Sequence, residues 1–306
     1  MQDGLMRTAK DWLLYVSGRL VLSFLQALPW SAGRAGGRLL GDLGYAFDRR
    51  SRKKESLENL RRAFPSMSER EAWRTLRGVY RHLGESIVNG LNVLRFAGHR
   101  LPEDLFETVG FERLRQVSDR GGAILVTGHF GHWEVLGTAL PLMGFPVWSM
   151  ERKSRNRFVQ RYVRRLREKT GQKMLAKRGV LRRIARLVKE GQNVAMLIDQ
   201  DARRDGVFVD FFGRPASTTA APARLATYTG CPVVFGYARA IRGSNRFRLV
   251  VRDVVFPRPG ADREAEVHRI TQELTRSLEA TIRQAPEEWL WIHRRWKTFP
   301  GKYRRV

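Results

Sequence analysis

The residues best suited to chemistry stand together in Thr127-Gly128-His129-Phe130-Gly131-His132-Trp133-Glu134. An imidazole held by a carboxylate is a general base: the carboxylate orients the ring and stabilises the imidazolium that forms. His129 and Glu134 are the candidates for that pair. On one continuous helix, residues five apart point about 140° from each other. A strand exit loosened by Gly128 and Gly131 removes that obstacle and lets the carboxylate reach the ring. Two other uses fit the same residues. His129 reads also as a half-buried histidine, with Glu134 a first-turn carboxylate favoured by the helix dipole. A metal on His129, His132 and Glu134 ranks third, because no further His or Cys cluster completes a site.

The flanks supply the elements that would position this stretch. The apolar residues 123–126 leave Gly121-Gly122 and read as a buried strand. Val135, Leu136, Ala139, Leu140 and Met143 fit one face of the following helix. Further strands are predicted at 147–150, 194–198, 207–211, 233–237 and 247–251. Helices are predicted at 155–170, 180–190, 220–229 and 263–284. In open α/β sheets, ligands gather at the carboxyl ends of strands. Asp199, after 194–198, and Arg152, after 147–150, stand at such ends. Asp199 suits a site role, orienting Arg152 or a substrate hydroxyl, and serves equally well as a turn cap. Arg152 lies among Lys153, Arg155 and Arg157, and alone reads as a solvated basic turn.

Lys and Arg number 57 against 30 Asp and Glu, a net charge of +27. That excess implies an anionic partner: nucleic acid, an anionic membrane, an acidic protein or a phosphorylated substrate. A 42% hydrophobic content supports a large core and excludes wholesale disorder. The lone Cys231 excludes an intrachain disulfide and a cysteine-based zinc site. The Rossmann and Walker A glycine patterns are both absent.

Ahead of the α/β region the chain reads as helical. Residues 12–30 are the most apolar stretch, with Trp12 and Trp30 at its ends. As one helix they would span about 28 Å, near the thickness of a bilayer core. Arg19 in the middle would cost roughly 3 kcal/mol there, unless it snorkels, pairs, or the helix lies in the interface. A buried helix of a soluble domain is the competing reading. Glycines 33, 36, 37, 41 and 44 suit close helix packing. Ser68 and Glu71 fit a capping box opening a helix that runs to about Phe96. The expected organisation is an anchor helix over 1–32 and a catalytic domain over 33–306. The latter divides into a helical lead-in (33–104) and an α/β core (105–306).

His129-Phe130-Gly131-His132-Trp133-Glu134 after a strand resembles the late (secondary) lipid A acyltransferases of the lysophospholipid acyltransferase superfamily. Asp199-Gln200-Asp201, the run 206–216 and the tail 289–298 resemble the same family, so the likeness covers roughly 10–299. It implies an α/β fold with a central mixed sheet flanked by helices, like that of the glycerolipid acyltransferases. It also implies an acyl carrier protein as donor, a lipid A precursor as acceptor, the cytoplasmic face of an anionic inner membrane, and no cofactor or metal. His129 and Glu134 would be catalytic. Arg152 would bind a phosphate, and Asp199, Gly213 and Arg214 would contact substrate. Phe211-Phe212-Gly213-Arg214 stands where glycerolipid acyltransferases carry a Phe-Pro-Glu-Gly type motif, and its missing glutamate argues for lipid A acceptors. Acylation of another glycolipid or lysophospholipid is the alternative within the class. A basic nucleic-acid-binding protein is the alternative outside it, though no nucleic-acid fold signature is present.

Overall fold

The computed structural model describes residues 2–99, 101–150, 154, 156–175 and 180–301. Four helices come first: α1 (Gln2–Ala27), α2 (Trp30–Phe47), α3 (Arg50–Ala63) and α4 (Glu69–Val93). The α/β run follows: β1 (Phe106–Val109), α5 (Phe111–Arg120), β2 (Ile124–Thr127), α6 (Trp133–Leu142), β3 (Val147–Met150), α7 (Arg157–Lys169), β4 (Lys173–Leu175), α8 (Val180–Lys189) and β5 (Asn193–Leu197). Then come β6 (Gly206–Phe211), β7 (Arg214–Thr219), α9 (Ala221–Thr229), β8 (Val233–Ala240), β9 (Phe247–Val255) and α10 (Arg263–Gln284).

Seven strands form one sheet in the order β1-β9-β8-β2-β5-β3-β4. The five from β8 to β4 are parallel; β9 is antiparallel to β8, and β1 parallel to β9. This is the expected mixed sheet. Successive side chains of a strand point to opposite faces, and both faces are covered here. Ile124, Val126, Val194 and Phe235 enter a core with α8, α9 and α10. Leu125, Val234 and Leu249 enter a second core with α5 and α6. That double burial is why the central strands read as unbroken apolar runs. β6 and β7 form a separate hairpin.

The helical region packs as its glycines require. Gly33, Gly37 and Gly41 recur every four residues on the buried face of α2. A Cβ on Gly37 would lie 2.7 Å from the Gly84 carbonyl oxygen in α4. The capping box of α4 is formed: Ser68 Oγ accepts from Glu71 N, and Glu71 accepts from Ser68 N at 2.8 Å.

The apolar stretch 12–30 is not one helix. It breaks before Pro29, and Trp30 begins α2; proline has no N–H to continue the ladder. Among the described residues no helix is long and apolar enough to cross a membrane, so the expected spanning anchor is corrected. Arg19 packs against α7. Its guanidinium stacks 4.2 Å from the Tyr162 ring in α7, and Tyr15 packs beside it on Phe158 and Tyr162.

Candidate active site

β2 and β5 are parallel neighbours whose last paired residues are Thr127 and Leu197. The Ile198 amide still donates to the Thr127 carbonyl at 3.1 Å. The next step of both chains sets His129 beside Asp199. From this edge the connections diverge. β2 continues through α6 to β3, on the far side of β5, whereas the chain after β5 returns to β8, on the far side of β2. A crevice at such a switch point is where α/β sheets place ligands.

Asp199 is fully buried and fully engaged. Oδ1 lies 2.8 Å from His129 Nδ1, and Oδ2 accepts from the His129 amide at 2.7 Å and from Trp289 Nε1 at 3.0 Å. The backbone oxygen of Asp199 meets His293 Nε2 at 2.9 Å. Burial by itself would push this carboxyl up. The interaction with the His129 ring and the hydrogen bonds from that ring and its amide outweigh it and hold Asp199 well below the usual carboxylate range. A carboxylate on Nδ1 fixes that nitrogen as the N–H and turns Nε2 into the basic one.

The loop carrying His129 is locked by backbone pairing. Phe130 bridges Trp289, Leu290 N donates to His129 O at 3.1 Å, and Gly131 N donates to Glu288 O at 3.0 Å. His132 N donates to Ala238 O at 2.8 Å. Gly131 has φ +58°, and a Cβ there would strike the Ala238 carbonyl oxygen. No other residue serves at this position without a backbone shift.

The remaining expected site residues fall in different places. Glu134 opens α6, but its carboxylate pairs with Arg167 of α7, at 2.5 Å from Nη2 and 3.2 Å from Nε. The carboxylate seen on the imidazole is that of Asp199. His132 is buried against His82 and Phe247. Burial, then the charges of His82, Arg34 and Arg239, push it well below the usual histidine range, so it is neutral. Among the described residues no three His, Cys, Asp or Glu are placed to hold a metal ion. Arg152 lies outside the described residues. Gly213 forms the β6–β7 turn with Phe212, and Arg214 reaches Asn59 at 3.4 Å and stacks 4.8 Å from the Trp296 ring.

Trp289, His293 and Arg167 are the site residues that the sequence reading did not single out. Trp289 and His293 belong to the aromatic and basic tail 289–298. That run contained the signal, but nothing local in it points to a strand end 90 positions earlier.

A strand-end imidazole backed by the carboxylate of the next parallel strand is an arrangement able to accept a proton from a hydroxyl. The chain belongs to the bacterial lipid A biosynthesis acyltransferase family, whose profile matches residues 3–298. It is similar to the lipid A biosynthesis palmitoleoyltransferase of Escherichia coli K12, with 26% identity over 292 residues, covering 94% of this chain and 92% of the relative. The lauroyltransferase of the same organism is 28% identical with the same coverage. A phosphatidylinositol mannoside acyltransferase of Mycolicibacterium smegmatis is 27% identical over 203 residues, 64% of each chain. The protein is an acyltransferase.

Proposed function

We propose that the protein moves a fatty acyl chain from an acyl carrier thioester to a hydroxyl of a lipid A precursor, at the cytoplasmic face of an inner membrane. The observation that carries the reading is the 2.8 Å contact between His129 and Asp199 at the switch point of the sheet. His129 Nε2 takes the proton of the acceptor hydroxyl as its oxygen attacks the thioester carbonyl. Asp199 stabilises the imidazolium formed. The tetrahedral intermediate then expels the thiolate, which recovers the proton from His129. The first-turn amides of α6, where His132 offers no side-chain cap, suit the developing oxyanion. Glu134 is assigned a positioning role through Arg167, holding α6 against α7. Arg152 is assigned to a phosphate, bound bidentately.

The membrane part of the reading rests on a surface rather than a span. On α2, Leu39, Leu43 and Phe47 recur every four residues on the side away from the glycine contact with α4, and Phe47 is 85% exposed. Leu13, Leu20 and Phe24 are exposed on α1. Arg49, Arg50, Arg52, Lys53 and Lys54 follow directly. Exposed apolar faces beside a basic cluster suit helices lying in an anionic interface.

The test is transfer from purified acyl carrier thioesters to a lipid A precursor, scored by product mass. Product with wild-type protein and none with His129→Ala supports the reading; equal product from both rejects it. Transfer to a mannosylated or other glycolipid, and not to the lipid A precursor, would favour the second reading, which the mycobacterial relative motivates.

A further inference from the structure

Beside β8, the neighbour of the strand that leads into His129, lies a cavity of about 290 Å³, lined by Tyr237, Arg239, Arg242, Arg248 and Gln284 among others. It stands at the carboxyl end of β8, which is parallel to β2 and adjacent to it. The ligand-binding edge of the sheet therefore continues into it. It adjoins the catalytic loop directly. The Tyr237 ring is 5.5 Å from that of Phe130, and the Ala238 carbonyl holds the His132 amide.

The charge in this cavity is only partly balanced within the fold, and Arg242 carries it on an exposed turn. Arg239 and Arg248 are directly opposite each other in the β8–β9 ladder, on one face of the sheet. Like charges directly opposite destabilise a pair of strands. Each is offset from outside the cavity: Arg239 by Glu288 at 2.7 and 2.9 Å, Arg248 by Glu107 at 2.8 and 3.2 Å. Arg242 has no acidic partner among the described residues, and no carboxylate lines the cavity. Ala240, Ile241 and Val250 complete the lining, and beside them three guanidinium groups, an amide and a phenol offer donors to an anion with several acceptor oxygens. The volume lies near the lower end of ligand pockets, about 300–1,000 Å³, and suits a headgroup fragment rather than a whole lipid.

We propose that this cavity is an anion site that takes a phosphate ester of the glycolipid acceptor, holding its sugar while the hydroxyl meets His129. The inference rests on the acyl-transfer reading above and adds the group by which the acceptor is recognised. Arg242 supplies the uncompensated charge. Arg239 and Arg248 supply further N–H donors, held in place by Glu288 and Glu107.

The experiment measures binding without donor, in detergent micelles. A phosphorylated lipid A precursor and the same glycolipid after phosphatase treatment are titrated against full-length wild type, Arg242→Ala and Arg242→Lys. One charge-assisted contact corresponds to roughly tenfold in affinity. Arg242→Ala should weaken binding of the phosphorylated glycolipid by about that factor and leave the dephosphorylated one unchanged, with Arg242→Lys in between. Equal affinity of wild type and Arg242→Ala for the phosphorylated glycolipid overturns the site. So does, in the transfer assay described above, an Arg242→Ala loss confined to KM for the acyl carrier thioester, which would assign the cavity to the donor's phosphodiester. Absence of acyl transfer by wild type, with the binding difference intact, would reject the enzymatic reading and leave the anion site standing.

Discussion

Nδ1 of His129 lies 2.8 Å from Oδ1 of Asp199, a residue 70 positions away in the chain and one strand away in the sheet. The carboxylate also accepts from the His129 amide and from Trp289. Asp199→Asn keeps the shape but removes the charge that favours the imidazolium. Turnover should fall by about 10²–10⁴-fold, as expected when a positioned base is lost. His129→Ala should fall at least as far, and the double variant little further, because groups acting as a unit are not additive. Steady-state kinetics on the three variants check this; a fully additive double variant would mean the two residues act separately.

Glu134 and Arg167 form the second pair, between α6 and α7. Both side chains are partly exposed, so the pair contributes position more than stability. Glu134→Gln and Arg167→Met should each lower turnover less than Asp199→Asn does. Together they should cost about as much as either alone. A Glu134→Gln loss equal to that of His129→Ala, with Arg167→Met neutral, would restore Glu134 as the direct partner of the imidazole.

Acid sensitivity should come first from His132. Its folded-state pKa is depressed, mainly by burial, so below about pH 6.5 the unfolded chain binds a proton that the native site refuses. Its contribution is complete above that pH and falls as pH drops through it. His293, depressed chiefly by burial although Asp199 opposes it, adds in the same direction. Asp199, depressed on the carboxylate scale, enters only below about pH 4. The drop in Tm from pH 7.5 to 5.5 should be smaller in His132→Phe than in wild type. An unchanged drop would mean that His132 is already protonated in the native state.

The exposed faces of α1 and α2 predict interfacial attachment. The protein should sediment with anionic vesicles and be partly retained in high salt, because apolar insertion is not screened. Leu39→Ser, Leu43→Ser and Phe47→Ser combined should release most of it while leaving the α2–α4 glycine contact intact. Retention of the triple variant would place the attachment elsewhere on the molecule.

Local signals in the sequence were read correctly where they were complete in one stretch. The capping box at Ser68 and Glu71, the strand–loop–helix around His129, the small-residue packing of α2 and the limits of α10 are all present. The short strands β1 and β4 were not legible, because three or four residues at a sheet edge carry little periodicity. β7 was missed: Arg214–Thr219 carries no alternating apolar pattern. Pro29, which separates α1 from α2, was not read as a break in the apolar run. The partner of His129 was out of reach for a different reason. Spacing can propose Glu134, five positions on, but only strand order brings Asp199 alongside. Arg239 opposite Arg248 likewise exists only in the β8–β9 register.

The pairing of Phe130 with Trp289, and of Leu290 with His129, also sets a schedule. Trp289 comes 160 positions after His129 (289 − 129). At about 5–20 residues per second, roughly eight to thirty seconds of synthesis separate the two. Through that interval the nascent chain holds its histidine without the indole that donates to Asp199 or the backbone that closes the loop. The base therefore waits for the aromatic segment 289–298 to dock, and a ribosome-bound fragment ending before Trp289 carries the base without its setting.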